Sequence, residues 1–233
     1  MEGLKRKFIQ DFIVNNRWQY ITDGLKITLS VTIFSLIIGV LIGMLVAIIR
    51  CAHDQQNKNK LWLKIANAIC QIYITIIRGT PILVQLLIMY FIILASFRSK
   101  TIVAIFTFGI NSGAYVAEIF RGGIMSVDKG QMEAGRSLGL NYIATMKNII
   151  LPQAFKNVLP SLVNELIALL KETSICGYIG LNELTRGGDI IRGATFDAFL
   201  PLFAVAIIYL ILVLIINSFI KILERRLRTN DYN

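Results

Sequence analysis

The sequence predicts an all-α membrane protein with about five transmembrane helices. Of its 233 residues, 55% are hydrophobic and 16% are charged. The apolar residues are gathered into blocks too long for an ordinary soluble core. A helix needs roughly 20 mainly apolar residues to cross about 30 Å of hydrocarbon, and several stretches supply them. The formal net charge of +10 suits a basic excess at the headgroup level, facing anionic lipid or an acidic soluble partner. It does not suit nucleic acid, because the basic residues are scattered between apolar blocks with no basic stripe interleaved with exposed aromatics.

The elements follow in order. Residues Met1 to Tyr20 carry Lys5, Arg6 and Lys7, but Asp11, Asn15, Asn16 and Arg17 interrupt the apolar run that a signal peptide requires. Phe8, Ile9, Phe12 and Ile13 recur at helical spacing, which predicts a short interfacial helix and sets residues 1–21 apart from a membrane domain over 22–220. Ile27 to Ile49 is the first span. In Leu61 to Phe97, Arg78-Gly79-Thr80-Pro81 forces a kink or break, since Pro81 lacks an N–H and Gly79 costs backbone entropy. The first half, with Trp62, Lys64, Asn67 and Gln71, reads as an amphipathic approach helix. Pro81 to Phe97, seventeen residues without a charge, reads as the span. Crossing with the first half instead places Lys64 in lipid, at a cost of about 2.5 kcal/mol or more. Ile102 to Ile119 and Phe199 to Ile220 are clear spans. Ala154 to Leu170 is a shorter one holding Lys156, Asn157, Asn164 and Glu165, which must face protein or a water-filled cavity.

Five spans place the chain ends on opposite sides. Arg50, Lys58, Lys60, Arg121, Lys129, Arg136, Lys147, Lys221, Arg225, Arg226 and Arg228 then gather on one face, together with the 221–233 tail. That face is the cytoplasmic one, with the N-terminus outside; Lys5, Arg6, Lys7 and Arg17 weigh the other way. Cys51, Cys70 and Cys176 have neither disulfide nor zinc spacing and read as free, partly buried thiols. His53, the sole histidine, has no companion ligands and reads as solvated, so no metal site is expected.

The polar stretch of some thirty residues between Gly122 and Pro152 is too long for a structureless loop. Met132, Gly135, Leu138 and then Ile143, Met146, Ile149 and Ile150 fall at steps of three or four around Gly139. Two short helices meeting at a glycine with φ > 0 present a compact knob, and Pro152 is placed to begin the next helix. Glu133-Ala134-Gly135, then Gly139, then Ile149-Ile150-Leu151-Pro152 resembles the EAA loop by which permeases of ATP-binding-cassette (ABC) importers engage their ATPases. Gly135 departs from that pattern, which more often has Ala there. Further stretches are similar to the polar amino-acid uptake branch of the family. These are Arg78-Gly79-Thr80-Pro81 with Val84-Gln85, Asn111-Ser112-Gly113-Ala114-Tyr115 running into Ala117-Glu118-Ile119-Phe120-Arg121-Gly122, Asn164-Glu165 running into Leu170-Lys171-Glu172-Thr173-Ser174, and Glu183-Leu184-Thr185-Arg186. The resemblance covers about residues 20 to 228.

That resemblance implies a type I ABC importer permease of a bacterial cytoplasmic (inner) membrane, working beside a second permease copy or homologue. Its further partners are a pair of ATP-binding subunits, a substrate-binding protein outside the cell, the lipid bilayer and an amino-acid cargo. It implies Glu133, Ala134, Gly135, Ser137, Leu138 and Gly139 as ATPase-coupling residues over the loop 123–152. The residues alone agree on one point: no Gly-x-x-x-x-Gly-Lys-Ser/Thr phosphate loop occurs, so ATP and Mg²⁺ belong to another chain and no cofactor is expected on this one. A transport subunit rather than an enzyme follows.

For cargo, ionisable and polar residues inside apolar spans are the candidates, each costly there without a partner. Asn164, Thr80 and Ser112 can donate to a carboxylate, and Glu165 can accept from an ammonium or a cationic side chain. Glu118, Tyr115 and Gln85 complete the set. The plainer reading pairs Glu118 with Arg121, and Glu165 with Lys171 or another subunit. Gly79, Pro81 and Gly113 are candidate hinges or close-packing contacts. Lys171, Glu172, Thr173 and Ser174 are a gate or an interfacial cap. A secondary transporter or channel explains the spans but leaves the 133–152 pattern without a purpose, and no inverted repeat supports it. An ABC permease for another cargo, such as methionine, changes only the midplane residues.

Overall fold

The computed structural model describes residues 2–55 and 60–229, in which every regular element is helical. Along the chain these are α1 (Glu2–Phe8), α2 (Trp18–Gln55), α3 (Leu61–Gly79), α4 (Ile82–Ile88), α5 (Lys100–Met125), α6 (Lys129–Ser137), α7 (Tyr142–Thr145), α8 (Leu151–Glu172), α9 (Leu184–Thr195) and α10 (Phe199–Thr229). π-Helical turns at Ile9–Ile13, Met89–Ile93 and Met146–Ile150 extend α1, α4 and α7. The expected Lys58 and the last four residues of the 221–233 tail lie outside the described residues, as do the side chains of Arg225, Arg226 and Arg228.

Among the described residues, four helices are long and apolar enough to cross a membrane: Trp18–Asp54, Leu61–Gly79, Lys100–Met125 and Phe199–Ile222. The break at Gly79–Pro81 is as expected, with Thr80 extended at φ −120° and ψ 145° and Pro81 opening α4. The assignment of its two halves is corrected. Leu61–Gly79 is the half of crossing length, whereas Ile82–Ile93 is too short at twelve residues or so, about 18 Å of helix. Leu63, Asn67, Cys70 and Ile74 give α3 one buried stripe, the amphipathic pattern expected of it. Lys64 stands exposed in the first turn, near enough to the helix end to carry its ammonium toward the headgroups. The helix α8 is 22 residues long but too polar to qualify on composition. Pro152 stands in the first turn of α8, as expected, and helical backbone continues back through the π turn at Met146–Ile150 to Tyr142, the proline's missing N–H interrupting the regular ladder there.

The chain forms two compact units. The first comprises Met1–Leu36, Pro81–Gly109 and Leu166–Ser218, the second Ile37–Thr80, Ile110–Glu165 and Phe219–Asn233. In the first, Val31, Leu86, Ala104, Phe108, Leu169 and Cys176 form one core cluster, and Phe12, Ile21, Leu184, Ile191 and Val205 form another. Phe12 thus packs on protein while Phe8, Ile9 and Ile13 remain exposed, giving the N-terminal segment the two faces its spacing predicts. In the second unit, Val46, Cys70, Ile74, Ala114 and Ala117 cluster, and Val127, Ile150 and Ala154 form a smaller core. All three cysteines are free and buried. Large apolar side chains such as Leu41, Leu210, Leu214 and Phe219 point outward, an arrangement suited to hydrocarbon rather than to water.

Candidate functional site

A cavity of about 1120 Å³ lies in the second unit. Its wall on α5 is Tyr115, Glu118, Ile119, Gly122, Gly123 and Ser126, and on α8 it is Gln153, Lys156, Asn157, Pro160, Ser161 and Glu165, with Arg78 of α3 completing it. Both sets step by three and four, so each is a single helix face. The opposite side of α5 is held close to its neighbours by small residues. A Cβ on Gly39 would lie 2.8 Å from the Ser112 side chain, one on Gly43 2.6 Å from Val116, and one on Gly113 2.8 Å from both Ile42 and the Tyr73 hydroxyl. Gly113 therefore sits inside an unbroken helix as a packing contact rather than a hinge. Tyr73 donates to the Ile110 carbonyl at 2.5 Å.

Polar groups at the cavity are tied down individually. The Ser112 hydroxyl donates to Glu165 Oε1 at 2.7 Å. Arg50 donates to Glu118 Oε1 in a partly buried ion pair. Arg121 lies 3.9 Å from Glu118 Oε2 and 3.0 Å from Asp54 Oδ2. The Arg78 guanidinium stands over the Tyr115 ring, 5.2 Å from its centroid. Asn157 donates to Ser126 Oγ at 2.9 Å.

The knob between α5 and α8 is built as the spacing predicts. Asp128 caps α6, accepting from the Gly130 N–H at 2.7 Å. Gly139 turns the chain at φ +84°, and Asn141 caps α7, accepting from the Ala144 N–H at 2.8 Å. Gly135 is buried, and a Cβ there would lie 2.6 Å from Thr145 Cγ2. Glycine at 135 is thus what lets α6 close on α7. Glu133, Ala134 and Ser137 are exposed, and Leu138 and Ile143 are exposed to 81% and 73%.

In the first unit, Glu183 is buried and caps α9, its two carboxylate oxygens accepting from the Thr185 and Arg186 N–H groups at 2.7 Å each. The Leu184 N–H donates to Thr28 Oγ1 at 3.2 Å. Gly24 and Gly187 let backbone approach here, with Cβ atoms that would fall 2.8 Å from the Glu183 carbonyl carbon and 2.4 Å from the Tyr20 carbonyl oxygen. Burial pushes the Glu183 carboxyl above its ordinary range, and the backbone donors pull it partly back. On α9, Asp189 bridges Arg186 and Arg192 at 2.6 Å each, which holds its carboxyl below the usual range. Thr173 and Ser174 donate to the Leu170 and Lys171 carbonyls, closing the end of α8 on itself.

Of the candidate cargo residues, Tyr115, Glu118 and Glu165 line the cavity, and Ser112 reaches it through Glu165. Thr80 is exposed and donates to the Ile76 carbonyl at 2.8 Å. Asn164 is exposed and Gln85 half-buried in the first unit, and neither belongs to the cavity wall. The expected Glu118–Arg121 pair exists, but Arg50 is the closer partner. The sequence does not single out Arg50 or Arg78 for the cavity: Arg78 stands beside a helix-breaking Gly-Thr-Pro, and Arg50 is 68 residues from Glu118, a separation that no local pattern bridges.

Comparison with known proteins places the chain among transport proteins. Residues 39–229 match the model of the family described as binding-protein-dependent transport system inner membrane component. The arginine transport system permease protein ArtQ of Bacillus subtilis is 39% identical over 215 residues, covering 91% of this chain and 94% of its own. The glutamine transport system permease protein GlnP of Escherichia coli K12 is 43% identical over 168 residues, 70% and 77% of the two chains. Among solved structures, a crystal structure of an amino acid ABC transporter with histidines matches with a TM-score of 0.82 at 38% identity, covering 91% of this chain and 96% of that one.

Proposed function

The chain belongs to the family of binding-protein-dependent transport system inner membrane components, and on that premise we propose that it forms the translocation path of an ABC importer for polar amino acids. The observation that carries the reading is the α6–α7 knob, with Glu133, Ala134, Gly135, Ser137, Leu138 and Gly139 in one compact, outward-facing hairpin. A channel or ion-driven carrier has no use for such a device; a permease coupled to a separate ATPase pair does. ATP and Mg²⁺ are bound by those partners, and a substrate-binding protein delivers cargo from outside to a permease pair in the bacterial inner membrane. Residues 1–21 lie at the interface, 22–220 form the membrane domain, and 221–233 form a cytoplasmic tail.

Cargo enters the cavity between the Tyr115 and Glu165 faces. Glu165, oriented by Ser112, takes an ammonium. Glu118 is neutralised by Arg50 and Arg121 and holds α2 to α5. Closure of the ATPases biases the same two-state element that the cargo biases from the other end. The test is uptake of labelled glutamine and arginine into proteoliposomes holding the whole complex. Uptake that requires ATP, and is lost in Glu133→Arg while the complex still assembles, supports the reading. Uptake driven by an ion gradient and indifferent to Glu133→Arg overturns it.

A further inference from the structure

We propose that Arg78 is the anchor for the α-carboxylate of the cargo and that Tyr115 positions it, an assignment that rests on the amino-acid cargo proposed above. Arg78 ends α3, immediately before the extended Thr80 and Pro81, so its side chain projects from a helix terminus onto the cavity wall. The Tyr115 ring, from α5, lies under the guanidinium at 5.2 Å. A cation–π contact of that kind limits the rotamers of a long side chain without occupying its N–H donors. Arg50, Arg121, Arg186 and Arg192 reach carboxylates, whereas the Arg78 guanidinium faces an aromatic ring. Its fork of donors matches the two oxygens of a carboxylate.

The rest of the wall supports the polarity. Glu118 shares the cavity with Arg78 and is engaged by Arg50 and Arg121. Glu165 accepts from Ser112, which fixes one carboxylate oxygen. An amino-acid zwitterion in this cavity therefore meets a guanidinium for its carboxylate and a carboxylate for its ammonium on separate helices.

The experiment uses the permease–ATPase complex in lipid nanodiscs, without a binding protein, and two probes: L-glutamine and 4-aminobutanamide, which has the same side chain and amine but no carboxylate. Arg78→Ala is expected to weaken L-glutamine about 10- to 100-fold, the loss of a charge-assisted hydrogen-bonded contact, and to leave 4-aminobutanamide unchanged. The unchanged probe also shows that the cavity remains folded. Arg78→Lys should fall between the two, and Tyr115→Leu should weaken L-glutamine alone. Equal weakening of both probes in Arg78→Ala, or loss of the distinction in Lys156→Ala instead, overturns the assignment. Where the wild-type complex binds no L-glutamine, L-arginine and agmatine, its decarboxylated analogue, replace the pair; a wild-type complex that binds neither amino acid overturns the cargo reading beneath it, and that result is seen before any variant is made.

Discussion

Glu118 and Glu183 are both carboxylates in largely apolar surroundings, and the protein accommodates them in different ways. Glu118 is matched by two guanidinium groups and joins helices through them. Glu183 meets backbone N–H groups, whose partial charges only partly offset its desolvation, and its carboxyl is pushed above the ordinary range. The consequence for stability has a definite sign. A raised folded-state pKa means that the native state binds more protons than the unfolded chain, so stability is greatest below the free-carboxyl value and declines as pH rises through the folded one. The thermal midpoint of the purified protein, measured relative to Glu183→Gln, should therefore fall as pH rises above the free-carboxyl value of about 4.3. A relative midpoint that rises with pH above that value would show that the cap's hydrogen bonds outweigh burial.

At the scale of elements, the α6–α7 hairpin depends on a contact that only glycine permits. An alanine at 135 would set its Cβ 2.6 Å from Thr145 Cγ2, an overlap that costs about 1–3 kcal/mol if the helices cannot shift. Gly135→Ala should reduce ATP-coupled uptake, and adding Thr145→Ala should restore much of it, since the second change removes the clashing methyl. Uptake that stays low in the double variant would mean that residue 135 acts on the partner rather than on the hairpin. This element was legible in the sequence because its signals are local: caps, a turn glycine and a three-to-four period all lie within about thirty residues. The break at Gly79–Pro81 was legible for the same reason. The halves on either side of it were misassigned because Lys64 was treated as a charge at the bilayer centre, whereas one turn from a helix end a lysine stem lets its ammonium escape. The cavity was half legible. Tyr115, Glu118 and Glu165 stood out as polar groups in apolar runs, while the partners that define their roles, Arg50 and Ser112, come from distant parts of the chain.

For the whole molecule, the number of crossings fixes which sides the flanking segments occupy, and the break between α3 and α4 decides that number. The helices α2, α5 and α10 qualify on length and composition. The helix α8 is 22 residues long, about 33 Å, and its most costly group, Glu165, is hydrogen-bonded within the protein, which removes the main objection to its crossing. Leu61 to Ile93 then adds one crossing or two. The π-extended α4, at about 18 Å, falls short of the hydrocarbon thickness, so α3 alone supplies the crossing and five crossings are expected. Five places residues before α2 outside, with the α6–α7 knob and residues after α10 inside. Six places both flanks on one side. A fluorescent protein fused after residue 233 should mature and glow, a periplasmic phosphatase at the same point should be inactive, and a cysteine introduced at Gly3 should react with a membrane-impermeant maleimide in intact cells. A protected residue 3 together with a glowing C-terminal fusion would give α4 its own crossing and send the chain through the membrane six times.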